Sequence, residues 1–261
     1  MNDSKQTALI TGASAGIGRE LAKLFARDHC NLVLVARNGS RLAQFADELQ
    51  RQFGISAKSF PMDLSASSAS QGLFDQLARE NISVDLLVNN AGYGKRGLFA
   101  EIPLEESLGQ IQVNITALTH LTKLFLGPMV ERKSGKILNV ASTAGFQPGP
   151  LMAVYYATKA YVISFSEALA NELDGTGVTV TCLCPGATDT EFQKRAGTEE
   201  SLLFRRMHPM DAKTVARDGY RGLMKGKPLV ISGLKNWLLA ESLRASPRRV
   251  VTAISRRFIE P

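Results

Sequence analysis

The chain has 261 residues, of which 44% are hydrophobic and 21% are charged, and its formal net charge at pH 7 is +7. The length allows one large α/β domain, and the composition is that of a chain that buries a core, which excludes a disordered or fibrous protein. The positive charge alone does not distinguish nucleic acid, an anionic membrane and an anionic cofactor as partners. Basic and aromatic residues are not interleaved as in a base-stacking surface, so we expect no nucleic-acid partner.

The sequence carries no pattern for export or for metal binding. The first six residues lead directly into an apolar run without the core of a signal peptide. The longest uncharged run, residues 137–158, contains Pro148, Gly149 and Pro150 and cannot be one unbroken membrane helix. Three cysteines and three histidines lack metal-ligand spacing. We therefore expect a cytoplasmic protein with no metal site.

Apolar segments of strand length alternate with helix-like segments along the chain. Each strand segment is apolar nearly throughout, which is typical of parallel strands buried on both faces. The alternation predicts a single α/β domain of the Rossmann type over residues 1–233, a doubly wound parallel sheet with helices on both faces. The seven predicted strands are Thr7–Gly12, Asn31–Arg37, Ala57–Met62, Val84–Asn89, Gly135–Ala141, Val178–Cys184 and Pro228–Ser232.

Two segments depart from this alternation. Residues 188–211 are long for a connection and contain Phe192 and Phe204, which predicts a lid over the site or, alternatively, a surface helical pair. Residues 234–261 form a basic tail, in which Ser246 and Pro247 predict the cap and start of a final helix.

The predicted final helix is amphipathic. Its apolar stripe would pack on the protein itself or on a partner subunit, or would dock on an anionic surface, either acidic phospholipid or an acidic carrier that delivers the substrate. The apolar stripe consists of Val250, Val251, Ile254 and Phe258. Most of the arginines lie on other sides of the predicted helix; they are Arg248, Arg249, Arg256 and Arg257.

The first predicted strand runs into a glycine-rich loop, Thr11-Gly-Ala-Ser-Ala-Gly-Ile-Gly18, before a helix begins. Glycines at these positions permit a tight turn and a close approach of backbone N–H groups to a phosphate at the helix N-terminus. The loop therefore predicts a dinucleotide site. The absence of Gly-Lys-Ser/Thr disfavours a P-loop NTPase.

The end of the second strand bears on the choice of cofactor. An NAD site favours a carboxylate there for the ribose hydroxyls, whereas this sequence has Ala36-Arg37, with Arg41 one helical turn later. Arginine matches a 2′-phosphate, so the sequence predicts NADP(H). The alternative is that Arg37 is a solvated loop charge.

A third group of polar residues is Ser142 followed by Tyr155-Tyr156-Ala157-Thr158-Lys159. Residues four apart share one face of a helix, so Tyr155 and Lys159 can project into one site. Tyr156 lies three residues before Lys159 and could do the same, so helical spacing does not choose between the two tyrosines.

Together these motifs resemble the short-chain dehydrogenase/reductase family over about residues 5–190. Ser142 and Tyr155 are 13 residues apart (142 to 155), the usual separation in the family, which selects Tyr155 rather than Tyr156. The matching motifs are Thr11-Gly-x-x-x-Gly16-x-Gly18, Asp63-Leu64, Asn89-Asn90-Ala91-Gly92, Asn114, Ser142, Tyr155-x-x-x-Lys159 and Pro185-Gly186-x-x-x-Thr190.

The resemblance implies an NADP-dependent enzyme that transfers hydride between nicotinamide and a ketone or aldehyde and its alcohol. Tyr155 would be the acid/base, and Ser142 would hold the substrate oxygen. Lys159 would hold the nicotinamide ribose, and Asn114 would keep a water that supplies protons. The implied cofactor contacts, with Arg37 added from the argument above, are Gly12, Ser14, Gly16, Ile17, Gly18, Asp63, Leu64, Asn90, Ala91, Gly92, Tyr155, Lys159, Pro185, Gly186, Thr188 and Thr190.

Lys159 would also tune Tyr155, because a tyrosine with an ordinary pKa near 10 exchanges its proton poorly at neutral pH. At a separation of about 4 Å and an effective dielectric constant of about 20, the lysine cation stabilises the phenolate form of the tyrosine by roughly 4 kcal/mol. We therefore expect Lys159 to lower the pKa of Tyr155.

Substrate and assembly follow from apolar residues. A candidate pocket made of apolar side chains favours an apolar ketone, such as a 3-oxoacyl or steroid-like group. The segment from Ala153 to Leu173 is apolar on nearly every side, and with the resemblance it implies a homodimer or homotetramer. A catalytically silent NADP-binding sensor is the alternative, but Ser142, Tyr155 and Lys159 are all present. The predicted pocket residues are Tyr93, Phe99, Phe146, Met152, Phe192 and Phe204.

Overall fold

The computed structural model describes residues 5–201 and 209–260. Within them, a seven-stranded parallel sheet has the order β3-β2-β1-β4-β5-β6-β9, and β7 pairs with β8 outside it. Each strand of the sheet matches a predicted strand to within two residues at either end, which confirms the predicted Rossmann-type sheet. The strands are β1 (Thr7–Thr11), β2 (Asn31–Ala36), β3 (Ala57–Pro61), β4 (Leu86–Asn89), β5 (Gly135–Val140), β6 (Val178–Cys184), β7 (Thr188–Asp189), β8 (Met210–Asp211) and β9 (Leu229–Ile231).

Helices cover both faces of the sheet because successive strand residues point to opposite sides. Ile10 faces a cluster that includes residues of α1, α2 and α8, whereas Leu9 faces one that includes residues of α3 and α5. The described helices are α1 (Gly16–Arg27), α2 (Gly39–Phe53), α3 (Ala69–Arg79), α4 (Leu104–Ile111), α5 (Leu118–Glu131), α6 (Ala153–Glu172), α7 (Phe192–Ala196), α8 (Ala212–Met224), α9 (Leu234–Arg244) and α10 (Arg248–Ile259).

The strand order reverses between β1 and β4. The chain winds outward from β1 through β2 to β3 and then returns to place β4 on the other side of β1. The loops that leave β1 and β4 therefore diverge to opposite faces and open a crevice at the carboxyl ends of the strands, where open α/β sheets bind ligands.

A buried network of polar side chains joins β4 and β5 to α6, the helix that carries Tyr155 and Lys159. Asn89 Nδ2 donates to Asn139 Oδ1 at 2.9 Å, and Asn139 Nδ2 donates to Ser166 Oγ at 3.0 Å. Because Asn139 and Ser166 are fully buried, these hydrogen bonds replace those that water would make. The network fixes how α6 sits on the sheet.

The predicted lid segment is only partly within the described residues. Its described part forms β7, α7 and β8, and Gln193 ties α7 to β7 by donating to the Thr188 carbonyl. Phe204 lies outside the described residues. Motion of this segment as a lid stays a prediction.

The C-terminal helix begins where it was predicted, but two details of that prediction are wrong. Pro247 is the N-cap of α10, and the Ser246 hydroxyl donates back to the Ser242 carbonyl at 2.8 Å instead of capping the helix. Of the predicted stripe only Val251 is buried; it lies on the inner face with Ser255 and Ile259, while the other three members are exposed. Those three are Val250, Ile254 and Phe258.

No helix in the part of the chain that the structure describes is long and apolar enough to span a membrane.

The Asn139 network generates a stability prediction. Asn139→Ala should lower the free energy of unfolding by about 1–3 kcal/mol, because it removes two buried hydrogen bonds and leaves Ser166 without its donor. Asn171→Ala, at an exposed position of α6, is the matched control and should leave stability nearly unchanged. Urea unfolding curves measure both, and equal stabilities of the two variants would contradict the role of the network.

Candidate active site

A cavity of about 540 Å³ lies at the carboxyl ends of the strands, where the strand order reverses. It brings together residues from the loops after β1, β2, β3, β4, β5 and β6, which the fold places at one edge of the sheet. The predicted site residues that line it are Gly12, Ser14, Gly16, Ile17, Arg37, Asp63, Leu64, Asn90, Ala91, Gly92, Tyr93, Ser142, Met152, Tyr155, Lys159, Pro185, Gly186, Thr188, Thr190 and Phe192.

Thr11 and Asn90 clamp the β1 loop to the β4 loop. Thr11 Oγ1 accepts the backbone N–H groups of Asn90 and Ala91, both at 3.0 Å, and donates to the Val88 carbonyl at 3.2 Å. Asn90 Nδ2 in turn donates to the carbonyls of Thr11 at 2.9 Å and Gly12 at 3.2 Å. These bonds fix the floor of the crevice.

The glycine loop has the shape that a phosphate-binding turn requires. Gly12 and Gly16 have φ angles of 65° and 52°, a conformation that favours glycine. A Cβ on Gly16 would lie 2.9 Å from Thr190 Cγ2, and a Cβ on Gly18 would collide with the Asn90 amide and the Gly12 carbonyl. Gly18 thus lies beneath the cavity and lets α1 pack closely.

The N-terminus of α1 fits an anionic group. Its N-cap is Ala15, no side chain of the described residues caps it, and its first turn contains no acidic residue. Its first N–H groups therefore remain available to an acceptor at the positive end of the helix dipole. These residues fit the pyrophosphate of a dinucleotide.

Two arginines lie at the end of the cavity next to β2. Arg37 and Arg41 both line it, and the Arg41 guanidinium forms an ion pair with Glu191 at 2.6 Å. The pKa of Asp63 is lowered, mainly by a hydrogen bond from the Ser65 backbone N–H and in smaller part by Arg37. Arg41 is therefore paired with Glu191 and Arg37 lies near the carboxyl group of Asp63, while no carboxylate directly follows β2.

Tyr155 and Lys159 lie one helical turn apart on α6, as predicted. Lys159 Nζ donates to the Val140 carbonyl at 2.8 Å and lies 5.8 Å from the centre of the Tyr155 ring. Ser142 follows β5; its hydroxyl accepts the Ala144 N–H at 3.1 Å, donates to the Pro185 carbonyl at 3.4 Å and lies near the Tyr155 hydroxyl. Ser142, Tyr155 and Lys159 therefore meet in one place.

The expected electrostatic effect of Lys159 on Tyr155 is not observed. Burial raises the pKa of Tyr155 above its ordinary value of 10.0, and the Ser142 hydrogen bond opposes this only in part. Burial also lowers the pKa of Lys159 to about 8. The simple pairing of two solvated charges at about 4 Å fails because the lysine is desolvated and bound to a carbonyl. Tyr155 is accordingly protonated at neutral pH.

Asn114 lies behind the cavity, in the π-helical turn Gln112–Ala117 between α4 and α5. Its Oδ1 accepts the Tyr93 N–H at 3.1 Å, and its Nδ2 donates to the Tyr93 carbonyl at 2.9 Å and to Thr158 Oγ1 at 3.0 Å. These bonds tie the loop after β4 to α6. A Cβ on Gly92 would lie 3.1 Å from Asn114 Oδ1 and 3.4 Å from Lys159 Nζ, so the two polar groups are near one another.

Tyr156 has a different environment from its neighbour. Burial raises its pKa to about 12, and the nearby hydroxyl of Ser255 on α10 opposes the rise. Its ring packs so closely on Gly149 that a Cβ there would overlap it. Tyr156, which also lines the cavity, thus lies near the C-terminal helix, whereas Tyr155 lies near Ser142.

Two predicted pocket residues lie elsewhere. Phe99 is 63% exposed on the loop before α4. Phe146 ends the 3₁₀ turn Thr143–Phe146 and packs against the buried cluster that includes Val162 and Ile163, away from the residues that line the cavity. Both predictions are wrong because position in the sequence does not show which way a turn directs a side chain.

Sequence reasoning missed the wall that the C-terminal helices build. Asn236 packs on Gly186 and donates to the Ser232 carbonyl at 2.7 Å. The spacing of the α9 residues, three and four apart, is a signal that could have revealed a shared face. The cavity residues from α9 and α10 are Asn236, Leu239, Ala240, Leu243 and Ile259.

Comparison with known proteins agrees with this architecture. The family described as short chain dehydrogenase matches residues 6–201. A short chain dehydrogenase of Pseudocercospora fijiensis is 34% identical over 78% of this chain and 66% of its own length. A very-long-chain 3-oxoacyl-CoA reductase of Pyrenophora tritici-repentis is 34% identical over 94% of this chain and 74% of its own length. The chain thus matches just under two thirds of the first relative.

Solved structures share the fold. A short-chain dehydrogenase from Sphingobium yanoikuyae in complex with NADPH is 32% identical, with a TM-score of 0.81, covering 92% of this chain and 94% of that one. The bulky-bulky ketone specific alcohol dehydrogenase from Comamonas testosteroni is 30% identical, with a TM-score of 0.78 and 92% of each chain covered. A short chain dehydrogenase/reductase from Burkholderia phymatum in complex with NAD is 25% identical, with a TM-score of 0.80, covering 100% of this chain and 99% of that one. This chain belongs to the short-chain dehydrogenase/reductase family of oxidoreductases.

Proposed function

We propose that this protein is a cytoplasmic NADP(H)-dependent oxidoreductase that interconverts an apolar ketone or aldehyde and its alcohol, with Tyr155 as the acid/base. The observation that carries the proposal is the meeting of Tyr155, Ser142 and Lys159 in the same cavity as the glycine loop. A catalytically silent sensor has no need of this arrangement.

Each polar side chain has a task in the reduction. When bound, the dinucleotide supplies hydride from its nicotinamide to the carbonyl carbon. The Ser142 hydroxyl orients the carbonyl oxygen, and the Tyr155 hydroxyl donates a proton to that oxygen as negative charge develops on it. The raised pKa of Tyr155 keeps it in the protonated form that reduction needs. Lys159, with a pKa of about 8, can exchange protons near neutral pH.

The arginines favour NADP(H) within this proposal. Solved structures of the family hold either NADPH or NAD, so the residues after β2 carry the argument. The Arg37 guanidinium matches a 2′-phosphate, and Arg41 can add a second one by leaving its ion pair with Glu191. Residues 36–38 contain no carboxylate for the ribose hydroxyls.

The substrate part of the proposal rests on the apolar end of the cavity. Met152, Phe192, Leu239 and Leu243 line it beside Tyr155. The names of the relatives, a reductase of very-long-chain 3-oxoacyl-CoA and an alcohol dehydrogenase for bulky-bulky ketones, point to the same class. We therefore favour a bulky apolar ketone, 3-oxoacyl or steroid-like.

A homodimer or homotetramer is also part of the proposal. Helix α4 exposes large apolar side chains, since Leu104, Leu108 and Ile111 are 63%, 53% and 38% exposed. Tyr161 on α6 extends this surface and stacks on Phe165. Exposed apolar area of this kind fits a second copy of the chain.

Tyr155→Phe should keep the fold and NADPH binding but lower turnover at least about 100-fold, because only the transferable proton is removed. Tyr156→Phe is the matched control and should retain most of the activity and nearly all of the stability. NADPH oxidation with a ketone and thermal unfolding measure these effects. Equal losses of activity in the two variants would contradict the assignment of Tyr155.

The unmodified protein should prefer NADP(H) to NAD(H) by roughly 10- to 150-fold in affinity, since a charge-assisted bond to the 2′-phosphate contributes about 1.5–3 kcal/mol. Ala36→Asp combined with Arg37→Ala should invert the preference, whereas Arg51→Ala at the other end of α2 should not change it. Dissociation constants for both cofactors provide the measurement. Equal affinities of the unmodified protein for the two would refute the argument.

Light scattering should give the mass of a dimer or tetramer. Leu108→Arg together with Tyr161→Arg should produce a smaller species, because the charges would face the partner copy without compensation. Leu238→Ser, on the distant helix α9, should leave the mass unchanged. A monomeric mass for the unmodified protein would overturn the proposed assembly.

A further inference from the structure

Helices α9 and α10 each have a second apolar face that is exposed. On α9, the cavity residues Asn236, Ala240 and Leu243 occupy one face. Leu234, Trp237 and Leu238, at the spacing of another face, are 71%, 46% and 55% exposed. The helix therefore serves the cavity on one side and presents large apolar side chains to solvent on the other.

The same division holds for α10. Val251, Ser255 and Ile259, four residues apart, form its buried face. The stripe next to it consists of Val250, Ile254 and Phe258, which are 50%, 51% and 39% exposed. Leu239 on α9 is also 46% exposed, but it lines the cavity. We name the other six exposed apolar residues of the two helices the C-terminal surface: Leu234, Trp237, Leu238, Val250, Ile254 and Phe258.

Positive charge is concentrated in the segment that carries this surface. Residues 234–261 contain six lysine or arginine residues and two glutamates, a net charge of +4 within a chain whose net charge is +7. Arg248, Arg249 and Arg257 are exposed on α10. Large aliphatic side chains, one tryptophan and flanking arginines on a helix surface are the combination that binds the interface of an anionic bilayer.

We propose that the C-terminal surface docks on an anionic phospholipid bilayer, from which an apolar ketone enters the cavity. Self-association through this surface would bring two sets of arginines together, whereas anionic headgroups neutralise them. Since α9 and α10 also wall the cavity, docking places the cavity next to the phase in which an apolar ketone is dissolved. The delivery step rests on the proposed function, but docking itself does not.

Trp237 is the chain's one tryptophan and lies in the C-terminal surface, so its fluorescence reports docking directly. Vesicles of phosphatidylglycerol should shift the emission of the full chain to shorter wavelength, and vesicles of phosphatidylcholine should not. Co-sedimentation with the anionic vesicles should weaken as salt is raised, because salt screens the arginines. Brominated acyl chains should quench Trp237.

Two variants test the residues. Arg248→Glu with Arg249→Glu, and separately Leu238→Ser with Ile254→Ser, should each lower vesicle affinity at least tenfold. Arg51→Glu with Arg79→Glu repeats the charge change on other helices, and Leu98→Ser with Met224→Ser repeats the apolar change at two other exposed positions; both controls should bind like the unmodified protein. Circular dichroism checks that each variant is folded.

The outcomes separate docking from the proposed function. Absence of binding to anionic vesicles at low salt, or equal binding to both lipids, overturns the proposal. An emission shift that follows protein concentration without vesicles assigns the surface to a second copy, and a shift with polyglutamate assigns it to an acidic protein; either result overturns it. Turnover of a small water-soluble ketone should be the same in the unmodified protein, in the variant with Arg248→Glu and Arg249→Glu, and in the control with Arg51→Glu and Arg79→Glu. If the unmodified protein does not turn over such a ketone, that result counts against the proposed function alone. A ketone carried in anionic vesicles should show a raised KM only in the variants of the C-terminal surface.

Discussion

The clamp between Thr11 and Asn90 is the constraint on which the rest of the site depends. A parallel sheet leaves its strand ends open, and at the reversal between β1 and β4 the two outgoing loops diverge. The Thr11 hydroxyl and the Asn90 amide close that gap with five hydrogen bonds. This clamp requires glycine at position 18, because a side chain on Gly18 would collide with the Asn90 amide. The N-terminus of α1 is thereby held at the crevice with its N–H groups directed outward.

Much of this architecture could be predicted from the sequence because it depends on local patterns. Buried parallel strands are continuous apolar runs, so β1 to β6 and β9 were visible as such. Tyr155 and Lys159 share a helix face at a fixed spacing, and the structure keeps them together. The orientation of α10 could not be predicted, because Ser255 is buried against the Tyr156 hydroxyl and polar residues carry no hydrophobic signal. Phe146 was misplaced for a related reason, since a short turn sets its direction.

The electrostatics of the site differ most from expectation. Charge attraction predicts that a lysine lowers the pKa of a neighbouring tyrosine, but burial acts on both groups and favours their neutral forms. Lys159 satisfies its Nζ at the Val140 carbonyl, and Tyr155 keeps its proton. Such a site is assembled geometrically for proton donation before any substrate is present.

The most direct test of the account is to follow the hydride. NADPH that carries deuterium at the transferred position of nicotinamide C4 is mixed with the unmodified protein and a bulky apolar ketone, and the alcohol is analysed by mass spectrometry. The account predicts that each alcohol molecule carries one deuterium at the former carbonyl carbon while NADPH is consumed in equal amount. Tight binding of NADPH without its consumption across a panel of ketones and aldehydes, or an alcohol without deuterium, would contradict it.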